Sequence, residues 1–206
     1  MNRRDLKSRK GITVCSFPAT KPNRKTILTE SLLERDFCYH LEWDDDVVAY
    51  ESQPEPIRYF YRGTYHIYTA DFLVDFVDES QKLYEVKDTR FLDDEIEEEL
   101  NVIGEYANAS GFQFEVVTEK RIRARPYFTN LKHLCDARAS TPLPQDLENE
   151  IINLVSSNGC MSISEILAQI DVNLIDIYRL IALHKLNFEI NSVVLGLTSK
   201  VSSNNE

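Results

Sequence analysis

The sequence predicts an α/β protein whose main domain contains a helix, a mixed sheet, a second helix and a further strand, followed by a small α+β domain. Three observations predict this class. A helical apolar pattern precedes several strand-like runs, two of these runs are joined by a short polar linker, and the pattern changes after a Pro-containing segment. The 206 residues suffice for one domain of ordinary size and a smaller one.

The first part of the chain predicts an irregular arm and then a helix. Residues 1–25 show no fixed apolar period. From about Thr29 onward, Leu33, Phe37 and Leu41 recur four residues apart, which is typical of one buried face of an α-helix.

Strands and a second helix follow. Prolines within Gln53–Pro56 interrupt two extended runs, and the polar residues 78–81 indicate a hairpin turn around Glu79 and Ser80. Gly111 is well placed to end the second helix. The strand-like runs are 47–50, 57–61, 70–76, 83–87 and 112–118, and the second helix is 93–109.

A different pattern begins after the linker at residues 140–144. Residues 147–155 and 174–186 are helical, and Ser162 with Glu165 matches a capping box that opens another helix between them. Short strands are expected at 188–190 and 193–197, so three helices and a hairpin predict a winged-helix-like domain. The predicted divisions are a basic arm at 1–25, a main domain at 26–138, a winged-helix-like domain at 139–200 and a disordered tail at 201–206.

The polar residues of the central hairpin carry the clearest chemical signal. Glu85 and Lys87 share one face of their strand because side chains alternate. The predicted turn brings Asp71, at the start of the preceding strand, close to this pair. Two acids beside a lysine can hold a divalent metal and cut phosphodiesters. The alternative is a solvated sheet face with a weak surface ion pair.

Metal-assisted hydrolysis defines a role for each residue. Mg²⁺, with Mn²⁺ as a substitute, requires oxygen ligands, which Asp71, Glu85 and the Val86 backbone carbonyl can supply. Lys87 can orient the attacking water or contact the phosphate, and a nearby metal favours its neutral form.

A further acid on the first helix can complete the metal shell. Glu34 lies on the same helical face as Cys38 and Leu41. The alternative is structural, because Ser31 and Glu34 also match a capping box. The acids that compete with Glu34 on this segment are Glu30, Asp36 and Glu42.

The charge of the chain bears on whether and where it can bind DNA. The net charge of −11 argues against binding to DNA by bulk electrostatics alone. Basic residues are clustered, however, and those expected to contact DNA phosphates are Lys25, Arg121, Arg123 and Arg125. Their alternative is a solvated arm and loop. The acidic run at 93–99 should face solvent or a basic partner.

The remaining composition predicts a cytoplasmic protein. No apolar run is long enough to span a bilayer, and the N-terminus lacks a signal-peptide core. The four cysteines are scattered, as expected of reduced thiols. Residues 141–206 carry three basic and eight acidic residues, which favours docking to a protein over binding to DNA.

The sequence resembles the TnsA endonucleases, subunits of heteromeric cut-and-paste transposases, over roughly residues 25–135. It also resembles the short members found in CRISPR-associated transposons. The resemblance implies a restriction-endonuclease-like core and catalytic roles for Glu34, Asp71, Glu85 and Lys87. The segments that carry it are 29–37, Leu41-Glu42-Trp43, Gln53-Pro54, 70–75 and Glu85-Val86-Lys87.

The resemblance also implies partners. TnsA-like proteins cut the 5′ strands at transposon ends, a TnsB-like transposase cuts and joins the 3′ ends, and a TnsC-like ATP-dependent regulator contacts the C-terminal region. Localisation is then bacterial cytoplasm, with association to the nucleoid during action. Two alternatives remain, a stand-alone restriction or repair nuclease and a non-catalytic adaptor between transposase and regulator.

Overall fold

The computed structural model of the protein describes residues 14–21 and 26–204. The chain divides into two compact units, of which the first ends at Ile122 and the second begins at Arg123. The first unit contains β1 (Cys15–Pro18), β2 (Thr26–Thr29), α1 (Leu32–Trp43), β3 (Val47–Ser52), β4 (Ile57–Tyr61), β5 (Thr64–Tyr68), β6 (Phe72–Phe76), β7 (Gln81–Lys87), α2 (Asp94–Ala109), β8 (Gln113–Thr118) and α3 (Glu119–Ile122). The second contains α4 (Tyr127–Arg138), α5 (Gln145–Asn158), β9 (Cys160–Ser162), α6 (Ile163–Leu167), α7 (Leu174–Ala182), β10 (Leu186–Asn187) and β11 (Lys200–Ser203).

Part of the segment predicted as an irregular arm is a strand. β1 pairs antiparallel with β2, and Phe17 and Ile27, which are direct partners in this pairing, are both buried. Burial of these two side chains stabilises a short hairpin that periodicity over four residues cannot reveal. Residues 1–13 and 22–25 of the predicted arm, which include Lys25, lie outside the described residues.

The central sheet is mixed, with the strand order β3-β6-β7-β8. β6 runs antiparallel to both β3 and β7, whereas β7 and β8 are parallel and are connected through α2. On one side, Phe37 and Leu41 of α1 belong to the same buried cluster as Phe72 and Val86. On the other, α2 buries Leu100, Ile103 and Ala107. These features confirm the mixed α/β class.

The turn between β6 and β7 lies slightly earlier in the chain than predicted. Glu79 adopts a left-handed φ of 67°, and the Phe76 N–H donates to the Ser80 carbonyl at 3.0 Å. Gln81, predicted as part of the turn, pairs with Asp75 inside the hairpin. The register pairs Phe72 with Tyr84, so Asp71 still lies at the level of Glu85.

A second hairpin, β4–β5, was only half predicted. Its strands pair across a turn at Arg62 and Gly63, whose φ values are 47° and 85°. A two-residue turn with both φ positive and Gly second suits the twist of a hairpin. Tyr59 of β4 packs in one cluster with Leu100 and Ile103 of α2, so α2 covers one face of the hairpin.

The second unit differs from its prediction in three respects. Its boundary lies at 122/123 instead of 138/139 because α4 packs on α7 and belongs to this unit. The expected strands at 188–190 and 193–197 are absent from the described chain, where β9, β10 and β11 form a sheet in the order β10-β11-β9. The expected disordered tail begins with part of β11, since Val201 is buried and pairs with Met161.

Two local predictions for this unit are correct. The Ser162 side chain accepts the Glu165 N–H and the Glu165 carboxylate accepts the Ser162 N–H, which is the predicted capping box at the start of α6. α5 and α7 correspond to the predicted helices. None of the helices that the structure describes has the length and apolar character needed to cross a membrane.

Candidate active site

The backbone of Asp71 is fixed by the strands on both sides of it. Its N–H donates to the Tyr84 carbonyl of β7 at 3.1 Å, and its carbonyl accepts the Gln53 N–H, just beyond β3, at 3.0 Å. Asp71 immediately precedes β6, and Glu85 and Lys87 lie at the C-terminal end of β7. Two neighbouring strands therefore present their polar residues at one end of the sheet.

The side chains at this end are in contact with one another or with the adjoining backbone. Asp71 Oδ2 accepts the Val86 N–H at 2.8 Å, and Glu85 Oε1 pairs with Lys87 Nζ at 2.7 Å. Tyr68 at the end of β5 donates its hydroxyl to Glu85 Oε2 at 2.5 Å. The Glu85 side chain is 7% exposed and that of Lys87 is 33% exposed, so this is not an ordinary surface ion pair.

Glu34 combines a structural contact with a place in this acidic group. Ser31 is the N-cap of α1 and accepts the Glu34 N–H at 3.1 Å. The Glu34 carboxylate turns back to accept the Glu30 N–H at 2.8 Å, one residue before the N-cap. The capping alternative is thus close to what is observed, although its second hydrogen bond comes from Glu30 and not from Ser31.

Glu34, Asp71, Glu85 and Lys87 lie close enough to influence one another's pKa values, and we call these four residues the strand-end cluster. Burial raises the pKa of Asp71 well above its usual range, and the Glu85 and Glu34 carboxylates raise it further. Burial also raises the pKa of Glu34, although hydrogen bonds with Glu30 and Ser31 act to lower it; the charges of Glu30 and Glu85 add smaller increases. Both shifts show carboxylates that are costly to ionise where they lie.

Lys87 supplies the compensating positive charge. Burial acts to lower the pKa of Lys87, but Glu85, Asp71 and Glu34 outweigh this effect and raise it. Lys87 is therefore a cation in the structure as it stands. The competing acids on α1 serve elsewhere, since Glu42 accepts the Tyr50 hydroxyl at 2.8 Å and Asp36 pairs with Arg35.

The oxygen atoms of the strand-end cluster fit a hard divalent cation through two carboxylates. Among residues 14–21 and 26–204, no three His, Cys, Asp or Glu side chains are arranged to hold an ion as they stand. Both oxygens of Glu85, one of Asp71 and one of Glu34 already accept hydrogen bonds or pair with a lysine; their partners are Tyr68, Lys87, Val86 and Glu30. Mg²⁺, however, is usually bound through one or two carboxylates together with water and substrate phosphates. Asp71 and Glu85, buried and adjacent, fit this smaller requirement.

The Val86 backbone adds a possible oxygen on the same side. The Val86 N–H points from β7 toward Asp71. Because the N–H and C=O of one strand residue point to the same neighbouring strand, we expect the Val86 carbonyl to face Asp71 as well.

Two residues at this end were not identified from the sequence. Tyr68 belongs to β5, the unpredicted strand, and the Arg62-Gly63 turn between aromatic runs was the signal for that hairpin. Gln53 has a left-handed φ of 52°, and its N–H holds the Asp71 carbonyl. The sequence indicated Gln53 as part of an interruption between strands and of a segment that carries the family resemblance, but not as a residue of the site.

Three of the basic residues proposed for DNA contact, Arg121, Arg123 and Arg125, occupy exposed positions. Arg121 immediately precedes the last residue of the first unit and pairs with Glu115 of β8. Arg123 and Arg125 are exposed and belong to the second unit.

Comparison with known protein families bears on Asp71, just before β6, and on Glu85 of β7. Residues 44–119 match the family model described as TnsA-like endonuclease N terminal. The match includes Asp71, Glu85 and Lys87, whereas Glu34 precedes it. A search of curated proteins gave no match. The resemblance predicted from the sequence is confirmed for this segment, since residues 44–119 are similar to the N-terminal domain of TnsA-like endonucleases.

Proposed function

We propose that the chain is a Mg²⁺-dependent DNA endonuclease subunit of a transposase, and that it cleaves the 5′ strands at transposon ends. One observation carries this proposal. Asp71, Glu85 and Lys87 meet at one end of the sheet within the TnsA-like domain, with Asp71 and Glu85 buried beside a lysine. Mn²⁺ is the expected substitute for Mg²⁺.

In this proposal, Asp71, Glu85 and the Val86 carbonyl hold the metal, and Glu34 completes its surroundings. A bound divalent cation supplies Lewis acidity and lowers the pKa of a coordinated water. Glu34 has a weaker claim than the other two carboxylates because it is already engaged with the Glu30 N–H.

Lys87 serves the reacting groups directly. In hydrolysis, a water oxygen forms a bond to phosphorus, one phosphoester bond breaks, and the leaving oxygen takes up a proton. As a cation, Lys87 donates hydrogen bonds and can hold a phosphate oxygen or the attacking water. To accept the water proton it must first lose its own, which added positive charge at Asp71 and Glu85 favours.

The second unit is proposed to be a winged-helix-like domain that docks a TnsC-like regulator. Its elements follow the order helix, helix, strand, helix, helix, strand, strand, with a three-stranded antiparallel sheet. Eight acidic residues against three basic ones in residues 141–206 suit a protein partner. A TnsB-like transposase is the second partner, and Lys25, Arg121, Arg123 and Arg125 are proposed to contact DNA phosphates.

The test is strand-specific cleavage of end-labelled transposon-end DNA by the chain together with its transposase and regulator, with Mg²⁺ or Mn²⁺. Wild type should cut the 5′ strands, and Asp71→Ala should not, while 3′-strand cleavage by the transposase persists. Full 5′ cleavage by Asp71→Ala would overturn the site.

The same assay separates the alternatives. Specific cutting by this chain without any partner would favour a stand-alone nuclease. Normal transposition with Asp71→Ala, with no 5′ cleavage in wild type either, would favour an adaptor.

A further inference from the structure

We propose that Tyr68 is a positioning residue that orients the Glu85 carboxylate for metal binding. This inference rests on the proposed function, because it concerns how the same site binds its cation. The observation behind it is the hydrogen bond from the Tyr68 hydroxyl to Glu85 Oε2, made from a hairpin outside the central sheet.

The Tyr68 hydroxyl is held at a fixed place. Tyr68 is the last residue of β5 and pairs with Ile57 across the β4–β5 hairpin. Its ring packs edge-on against Phe114 of β8, with 6.1 Å between ring centroids. α2 covers the same hairpin through Tyr59. A ring supported in this way leaves its hydroxyl little freedom to follow a moving carboxylate.

The two Glu85 oxygens consequently have different partners. Oε2 is bound by the neutral phenol of Tyr68, and Oε1 is bound by the Lys87 ammonium. If a divalent cation were held beside Asp71, its charge would oppose that of Lys87, and Oε1 would be the Glu85 oxygen left to bind it. Tyr68 would keep Oε2 in place, so the carboxylate would not rotate.

This division assigns each neighbour of Glu85 a separate task. Tyr68 would fix the plane of the carboxylate, Oε1 would bind the cation, and Lys87 would then be available to the water or phosphate. Hydrogen bonds to a ligating carboxylate commonly change metal affinity about 10- to 100-fold when they are removed.

The chain contains a matched control for this bond. Tyr59 on the same hairpin donates its hydroxyl to Glu99 Oε1 of α2, also at 2.5 Å. Both substitutions, Tyr68→Phe and Tyr59→Phe, remove one phenol donor from one glutamate, but only Tyr68 is bonded to the strand-end cluster.

The experiment is a Mn²⁺ and Mg²⁺ titration of the full chain, followed by the thermal unfolding midpoint. Binding to the folded state raises the midpoint in proportion to the logarithm of metal concentration over Kd. We expect Tyr68→Phe to weaken metal binding about 10- to 100-fold. Tyr59→Phe should bind metal as wild type does, and Asp71→Ala should lose the response.

A double-mutant cycle separates positioning from general stability. If Tyr68 acts through Glu85, Tyr68→Phe should have no further effect on metal affinity in a Glu85→Gln background. An equal loss in both backgrounds would overturn the positioning role.

The remaining outcomes are distinguishable. Wild-type metal affinity in Tyr68→Phe, with the response lost in Asp71→Ala, overturns the role of Tyr68 and leaves the proposed function standing. No metal response in wild type, either alone or with transposon-end DNA bound, overturns the metal site and this inference with it.

Discussion

Two acidic regions of the first unit are built in opposite ways. The strand-end cluster places three carboxylates and one lysine in a largely buried position, where Asp71 and Glu34 have raised pKa values. The run Asp93–Glu99 at the start of α2 has twice as many carboxylates, yet nearly all of them are exposed. The region with fewer charges is therefore the one whose charges are costly.

Local structure accounts for the acidic residues of the α2 run. Asp93 caps the helix by accepting the Ile96 N–H at 2.9 Å, and acids in a first helical turn complement the helix dipole. Glu95 and Glu98 pair with Arg62 of the neighbouring hairpin. The predicted exposure of this run to solvent is confirmed.

The strand-end cluster has no such local explanation, apart from the cap contact of Glu34. Asp71 and Glu85 are buried close enough to raise the pKa of Asp71, although apolar residues would pack there at lower cost. A buried acidic group that weakens the fold is a candidate for function. The comparison teaches that burial, more than the number of charges, identifies the site.

The largest expected effect is on cleavage. Asp71→Ala or Lys87→Ala should reduce 5′-strand cleavage by about 10²- to 10³-fold or more, since metal and charge stabilisation of the transition state contribute several kcal/mol. Glu97→Ala, in the α2 run, should cleave as wild type does. Circular dichroism and the unfolding midpoint check that each variant is folded. Cleavage by Lys87→Ala at the wild-type rate would remove Lys87 from the mechanism.

The next effect is on stability without metal. Asp71→Asn keeps the side-chain shape and an oxygen for the Val86 N–H but removes a buried negative charge. In EDTA at neutral pH it should be more stable than wild type by about 0.5–2 kcal/mol, as relief of a costly functional group often is. Denaturant unfolding measures this change. A destabilised Asp71→Asn would mean that the charge supports the fold.

The pH dependence follows from the same charges. The pKa of Asp71 in the folded protein lies above the ordinary carboxyl value of 3.8. Between pH 3.8 and the folded pKa, the folded protein therefore binds more protons than the unfolded chain. This contribution to stability is fully present below pH 3.8 and is lost as pH rises through the folded pKa. The difference in unfolding free energy between Asp71→Asn and wild type should therefore grow with pH. A difference that shrinks with pH would contradict the raised pKa.

Much of the strand-end cluster could be predicted because its elements are local. Asp71 and Glu85 are separated by one hairpin, so alternation and a turn place them together even though the turn lies slightly earlier than expected. The spacing of Leu33, Phe37 and Leu41 likewise predicted α1, and all three are buried.

The missed features depend on contacts between distant parts of the chain. Tyr68 reaches Glu85 from a hairpin outside the central sheet, which no periodicity within β5 indicates. β11 is four residues long and pairs with β9 about forty residues earlier. By contrast, Val193 and Val194 have the composition of a strand but are more than half exposed. Short strands form through their partners, and sequence patterns do not contain those partners.

The smallest expected effect lies in the α2 run. Glu97 is exposed on the helix, so Glu97→Gln removes one charge without burying or releasing a polar group. The free energy of unfolding should change by less than about 0.5 kcal/mol, at low and at neutral pH alike. Cleavage and metal affinity should not change either. Measured beside Asp71→Asn under identical conditions, this variant tests whether an acid matters because it is buried. A shift in metal affinity with Glu97→Gln would show that the two acidic regions act through one long-range field, and the contrast between them would fail.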